Sequence, residues 1–274
     1  MAENLVLGID FGASTTDIVL LHGKKTLNAW SFPAMPVRGI QKFLKPLGLP
    51  FEKIRVVCVT GGKSGGLYGK KLFGVPVRHV SEIDAIGLGG AFLAGKKSCL
   101  VASLGTGTCI VEMRNGKARH FGGTGVGGGT LLGLAKLLLG TKDVFELEAI
   151  AAKGNAQKID LSVGDIIGNG LGVVPARATG SNFAKLSSQK KEDVAAALVK
   201  LVAEVNAIAI IFAGRASGLD EIVVAGKTPE VKGFRKRMQA VAGYYGKKLV
   251  FPKNAGIATA IGACLKAQGS VNAD

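Results

Sequence analysis

Residues 8–21, GIDFGASTTDIVLL, set the carboxylate of Asp10, two glycines and the hydroxyls of Ser14, Thr15 and Thr16 between two apolar runs. Glycine lets the main chain come close to a ligand, and successive N–H groups in such a turn form a cradle for oxygen anions such as phosphate. A carboxylate at the end of the preceding strand could hold Mg²⁺ through water, because that ion prefers carboxylate, water and phosphate oxygens. The same residues also suit an ordinary hairpin, with Gly12 at positive φ and the hydroxyls bonding locally. This stretch alone does not choose between the two.

The plan returns about ninety residues later in CLVASLGTGTCIVEM, residues 99–113, again an apolar strand, a Gly/Thr turn and an apolar strand. A duplicated lobe would set the two turns across one cleft, able to grip neighbouring phosphates of a nucleotide; chance likeness of two glycine-rich hairpins is the alternative. GGTGVGGGTLLGLAKLLLG, residues 122–140, then runs a glycine cluster into a helix. Helix N-terminal N–H groups attract anions, although close packing of helix on strand selects glycine too. TGGKSGG, residues 60–66, resembles a Walker A loop only superficially, because Val57 stands where its first glycine belongs; a P-loop NTPase is excluded. Glu82 follows a strand-like run and opens an apolar helix, a position for a proton acceptor or for a carboxylate that stabilises the helix end. Asp84 competes with it on equal terms.

The elements that must carry these residues alternate along the chain. Apolar runs of strand length occur at 5–10, 17–22, 26–32, 55–60, 75–80, 100–104, 109–114, 221–225 and 248–251, and helical patterns at 40–47, 83–94, 130–139, 145–153, 192–213, 234–244 and 257–267. This predicts an α/β protein. The length of 274 residues allows two lobes around a cleft. The expected division is 1–96, with the first turn and Glu82, and 97–274, with the second turn, the glycine-rich loop and a dimer helix. The basic residues behind the formal charge of +16 are spread along the chain, some as isolated lysine pairs such as Lys24-Lys25 and Lys190-Lys191, without a basic tail or an aromatic-basic ladder. That points to anionic small substrates rather than nucleic acid. Cys58, Cys99, Cys109 and Cys264 form no C-x-x-C pair, so reduced core thiols and a cytoplasmic protein are expected. Glu3 and Asp10 interrupt any signal peptide. The long apolar stretch around 194–214 contains Lys200 and Glu204, which argues for a core or interface helix over a membrane span. Its apolar arc is wider than one core-facing stripe requires, which predicts a homodimer, with burial on two sides inside one chain as the alternative.

Taken together, these stretches resemble the type II pantothenate kinases, in the superfamily of sugar kinases, actin and heat-shock ATPases. GIDFGASTTDIVLL resembles the family's first phosphate motif, VTGGKSG its Gly-Gly turn, HVSEIDAIGLGGAFL the segment of its catalytic glutamate and SLGTGTCIV its second phosphate motif. IDLSVGDIIG with ATGSNFAKL resembles the characteristic middle, EIVVAGK the adenosine side and NAGIATAIGACL the closing helix. The resemblance implies duplicated actin-like ATPase (ribonuclease H-like) lobes around a nucleotide cleft. It implies phosphorylation of pantothenate with ATP and Mg²⁺, the first step of coenzyme A synthesis, by a homodimer. It implies Asp10 as the Mg²⁺-associated aspartate; Gly12, Ala13, Ser14 and Thr15 as the first phosphate turn; Gly105, Thr106 and Gly107 as the second. Gly127, Gly128, Gly129 and Gly226 become nucleotide-side glycines and Glu82 the general base.

Two positions depart from the family. Asp17 stands where it usually has a lysine, and His120 where it usually has an arginine, with Arg119 one residue early. Either His120 substitutes, or another cation such as Arg119 or Lys63 reaches in, or activity is altered or lost. The competing readings are an ATPase activator or switch of the dehydratase-activator type, and a nucleotide- or coenzyme A-binding protein without chemistry.

Overall fold

The computed structural model describes residues 5–67 and 69–269. In chain order the elements are β1 (Leu5–Phe11), β2 (Thr15–His22), β3 (Lys25–Pro33), α1 (Ile40–Leu44), β4 (Ile54–Thr60), β5 (Lys71–Leu72), β6 (Val75–His79) and α2 (Glu82–Ala94). They continue with β7 (Cys99–Leu104), β8 (Thr108–Arg114), β9 (Lys117–Thr124), α3 (Gly128–Leu139), α4 (Val144–Ala151), β10 (Leu161–Ser162), α5 (Val163–Ile167) and β11 (Thr179–Ser181). The last are α6 (Lys191–Ser217), β12 (Ile222–Ala225), α7 (Phe234–Tyr244), β13 (Leu249–Val250) and α8 (Ala258–Gly269). The chain forms two compact units: one of Met1–Ser103, Val111–Phe121 and Pro252–Asp274, the other of Leu104–Ile110 and Gly122–Phe251.

The first unit carries a six-stranded sheet in the order β3-β2-β1-β4-β6-β5. β1 is antiparallel to β2 and parallel to β4. Strand alternation sends Leu5, Leu7, Ile9 and Phe11 into one core with Ile18, Ile40 and Leu44, and Val6 into another with Val19, Cys58, Ala260 and Cys264. α8 lies on that second face and crosses α2 at glycines. A Cβ built on Gly89 would fall 1.9 Å from the Ala258 carbonyl oxygen, and one on Gly262 would fall 1.9 Å from that of Ala85. This contact seats α8 on α2 within the first unit.

A five-stranded sheet follows in the order β13-β12-β7-β8-β9. Its plan resembles that of the first sheet, three consecutive strands in reverse order beside later ones, two here and three in the first sheet, so the sequence echo extends to topology. In the second unit α6 packs against α3, α4 and α7. α6 is long and apolar enough to cross a membrane by length and composition, and two thirds of its apolar window is buried. Helices of its own unit therefore cover part of the wide arc on several sides, while Phe212 stays exposed. Its charges are paired as well: Lys200, 7% exposed, meets Asp160, 1% exposed, at 2.8 Å, and Glu204 lies 3.7 Å from Arg237.

Candidate active site

In the first unit, Asp10 is half-buried near the end of β1 and stands in register with Asp17 on β2 and Thr60 on β4. Directly opposed antiparallel residues share a face, so the two carboxylates of Asp10 and Asp17 face the same way. Gly61 makes room for Asp10: it sits at φ +89°, and a Cβ there would fall 2.7 Å from Asp10 Oδ1. Gly12 is not among the positive-φ glycines. Its small size serves the turn instead, since a Cβ would meet the Thr15 carbonyl oxygen at 2.8 Å. Ala13 and Ser14 are exposed, Thr15 is half-buried, and the buried Thr16 hydroxyl accepts from the Met35 N–H at 2.9 Å. In the TGGKSGG stretch, Ser64 is wholly buried, with Oγ 2.6 Å from both the Gly61 carbonyl oxygen and His79 Nε2. Its hydroxyl fixes the Gly61 turn, which the failed Walker spacing left unexplained.

Glu82 is exposed at the first turn of α2 and, among the described residues, carries no ion pair. Asp84 is held by Lys266 of α8 at 3.3 Å. That engagement separates two carboxylates that the sequence left equal. Arg119 is committed too: its Nε donates to Glu112 Oε2 at 2.8 Å, its Nη2 donates to the same oxygen, and its guanidinium lies 5.5 Å from the Phe121 ring centroid. Arg114 Nε binds the other Glu112 oxygen at 2.6 Å. Hydrogen bonds from Arg114 and then Arg119 hold the Glu112 carboxyl below the usual carboxylate range. His120 and Lys63 are exposed. Burial makes Cys58 and Cys264 inert, pushing the Cys58 thiol up to about 12 and that of Cys264 well above its ordinary value.

In the second unit, three glycine segments interlock through backbone. The turn Gly105–Gly107 closes on itself, with the Gly105 N–H donating to the Gly107 carbonyl at 3.0 Å. The Gly128 and Gly129 N–H groups at the start of α3 donate to the carbonyls of Gly105 and Thr106 at 2.8 and 2.9 Å. Thr228 Oγ1 donates to the Gly105 carbonyl at 2.9 Å. A Cβ on Gly127 would lie 2.8 Å from Gly107 Cα, and one on Gly226, at φ +90°, would lie 2.3 Å from the Leu104 carbonyl oxygen. Gly127, Gly128, Gly129 and Gly226 thus hold the second turn. The N–H groups of Gly128 and Gly129 are spent on it, which is the packing role that glycine-rich loops also select for. Thr228 and the carbonyl of Gly105 are contributors that the motifs did not single out; a hydroxyl two residues beyond Gly226 was the available signal.

The two middle motifs are also joined. β10 pairs with β11, the Asp165 carboxylate accepts from the Ser162 N–H at 2.9 Å and hydroxyl at 2.8 Å, and Lys185 Nζ lies 3.0 Å from it. Asp160 accepts from the Phe183 N–H at 2.9 Å. Hydrogen bonds from Ser162, first its N–H, and then Lys185 bring the Asp165 carboxyl down to about 2.

A family model described as Fumble matches residues 97–266. A type II pantothenate kinase of Bacillus cereus is 30% identical over 272 residues, covering 95% of this chain and 97% of that one. Among solved structures, component A of (R)-2-hydroxyglutaryl-CoA dehydratase from Acidaminococcus fermentans has a TM-score of 0.67 at 19% identity, covering 98% of this chain and 99% of that one. A ROK family glucokinase from Streptomyces griseus, in complex with glucose and AMPPNP, has a TM-score of 0.62 at 14% identity, covering 97% and 100%. The two structures share the actin-like ATPase fold with this chain. Matched over nearly its whole length by a named relative and over most of it by a family model, the chain belongs to the type II pantothenate kinase family.

Proposed function

We propose that this chain transfers the γ-phosphoryl group of ATP to the primary hydroxyl of pantothenate. The observation that carries the reading is the interlocked backbone at 105–108, 126–129 and 226–228 in a chain that matches relatives of that name along nearly their full length. Phosphoryl transfer asks mainly for positioning and charge stabilisation. The alcohol oxygen attacks phosphorus in line, its bond forms as the bond to the ADP oxygen breaks, and Glu82 accepts the hydroxyl proton. The turn at Gly105–Gly107, held rigid by Gly128, Gly129 and Thr228, keeps the phosphates in place; Gly226 serves the adenosine side.

The half-buried Asp10, with Asp17 in register across from it, is a hard-oxygen set that suits Mg²⁺. When bound, that ion neutralises charge on the phosphates. His120 or Lys63 supplies the cation that Arg119, engaged by Glu112, does not. A cytoplasmic homodimer belongs to the same proposal. The cysteines, present as thiols in the structure, are in keeping with a reducing compartment. The exposed Leu137, Leu138 and Phe145 supply apolar surface for a second copy.

The reversed charge at Asp17 favours a second reading, a nucleotide-binding protein that has lost phosphoryl transfer. ATP consumption measured with and without pantothenate, and with pantetheine, separates them. Consumption that requires either alcohol supports the kinase. Nucleotide binding with alcohol-independent turnover, or with none, supports the second reading.

A further inference from the structure

α6 carries a buried, uncharged polar side chain, Asn206, whose partners beyond the helix are hydroxyls at strand ends. Lys200 and Glu204 meet Asp160 and Arg237, but Asn206, fully buried in the same helix, faces the strand ends of the second phosphate turn. Its Nδ2 donates to the Val202 carbonyl one turn back at 2.9 Å, which fixes the amide so that Oδ1 points away from the helix backbone. Thr108 Oγ1, at the start of β8, lies 2.6 Å from that Oδ1, and Thr124 Oγ1, at the end of β9, lies 3.4 Å from it. Both hydroxyls also reach the Val126 carbonyl, at 2.9 and 3.1 Å, and the Val126 N–H donates back to Thr124 Oγ1 at 3.2 Å. Val126 immediately precedes the glycines whose N–H groups hold Gly105 and Thr106. A single buried amide therefore ties the helix to the exit of the second phosphate turn and to the entry of the glycine-rich loop.

We infer that Asn206 is a positioning residue for the nucleotide. It fixes the spacing between Gly105–Thr108 and Val126–Gly129 through the hydroxyls of Thr108 and Thr124, without touching the ligand. The inference rests on the kinase reading for its effect on ATP and on the structure alone for its effect on the loops. Buried polar networks of this kind are rigid when every member is satisfied and loosen when one is removed. Adaptable glycine loops have few other means of holding one geometry.

The test compares Asn206→Leu with Thr108→Val, which removes the other end of the same contact and leaves α6 intact if the helix variant fails to fold. ATP affinity is read by calorimetry, and amide hydrogen exchange is read at 105–108 and 126–131 without nucleotide. Each variant is expected to weaken ATP binding about tenfold, the loss of one buried hydrogen bond, and to speed exchange at Gly128 and Gly129. The double variant should lose less than the sum of the two single losses, because the two residues share one contact. Thr108→Ser, which restores the hydroxyl, should regain most of the affinity that Thr108→Val loses. Thr108→Val with native exchange at Gly128 and Gly129 and native ATP affinity overturns the inference. A native protein that binds no ATP overturns the kinase reading instead, and the exchange comparison then decides the role of Asn206 alone.

Discussion

Gly226→Ala tests the held second turn at its tightest point. The new Cβ would stand 2.3 Å from the Leu104 carbonyl oxygen and 2.8 Å from the Leu104 nitrogen. Carbon and oxygen atoms rest at roughly 3.5 Å, so the two segments must separate by about 1 Å. A non-glycine residue at φ +90° adds strain of roughly 1–2 kcal/mol. Leu104 ends β7 and passes directly into Gly105, so the displacement reaches the phosphate turn undiluted. A misplacement of about 1 Å costs on the order of 10²-fold in rate, equivalent to ~2.7 kcal/mol of transition-state stabilisation. The expected result is a fall of that order in kcat/KM for ATP at saturating pantothenate, with a folded protein by circular dichroism. Gly133→Ala in α3 is the control, because nothing lies within 4 Å of its added Cβ; turnover stays native there and helix stability rises by up to about 1 kcal/mol. A Gly226→Ala protein with native kcat/KM for ATP would refute the argument that backbone contact at Leu104 sets the turn.

Glu82→Gln should lower kcat by about 10²- to 10⁴-fold with ATP affinity nearly unchanged, whereas Asp84→Asn, which breaks only the exposed pair with Lys266, should leave kcat close to native. Equal losses in the two variants would return both carboxylates to candidacy. Arg119→Ala should keep turnover because Glu112 already holds that guanidinium, while His120→Ala or Lys63→Ala should lower it by about tenfold or more if it supplies the missing cation; a dominant loss at Arg119 contradicts the assignment. Asp165→Asn should destabilise the protein at neutral pH. The Asp165 carboxyl is lowered from 3.8 to about 2 on folding, so its contribution is complete above pH ~4 and fades as pH falls through ~2. Thermal midpoints that differ by the same amount at pH 6 and pH 2.5 would rule out that linkage.

Much of the scaffold was legible because burial on two faces leaves a period. Leu5, Leu7 and Ile9 alternate with Val6 and Gly8, and the strand they predict ends one residue past the expected Asp10. Pro46 shortened the first helix to Ile40–Leu44, turning its last part into a 3₁₀ segment. β9 was invisible because KARHFGGT has no residue buried enough to write a pattern. The apolar arc of α6 was read correctly as too wide for one face, but a sequence cannot say which neighbours cover it, and here α3, α4 and α7 share that task. The glycine motifs marked where the backbone comes close, not what each N–H does; Gly128 and Gly129 turn out to donate to the chain itself. What distinguishes Asp84 from Glu82, and Arg119 from His120, is contact with Lys266 and Glu112, partners that spacing along the chain does not reveal. Asn206 carried a faint signal, a lone amide in an apolar run.

The central claim is phosphoryl transfer to pantothenate, and phosphorus NMR of a reaction containing the native protein, ATP, Mg²⁺ and pantothenate tests it most directly. The account predicts a new phosphomonoester resonance that grows with ADP in equal amount, requires pantothenate and is nearly abolished in Glu82→Gln. ADP appearing with inorganic phosphate alone, or a bound nucleotide that stays intact, contradicts it.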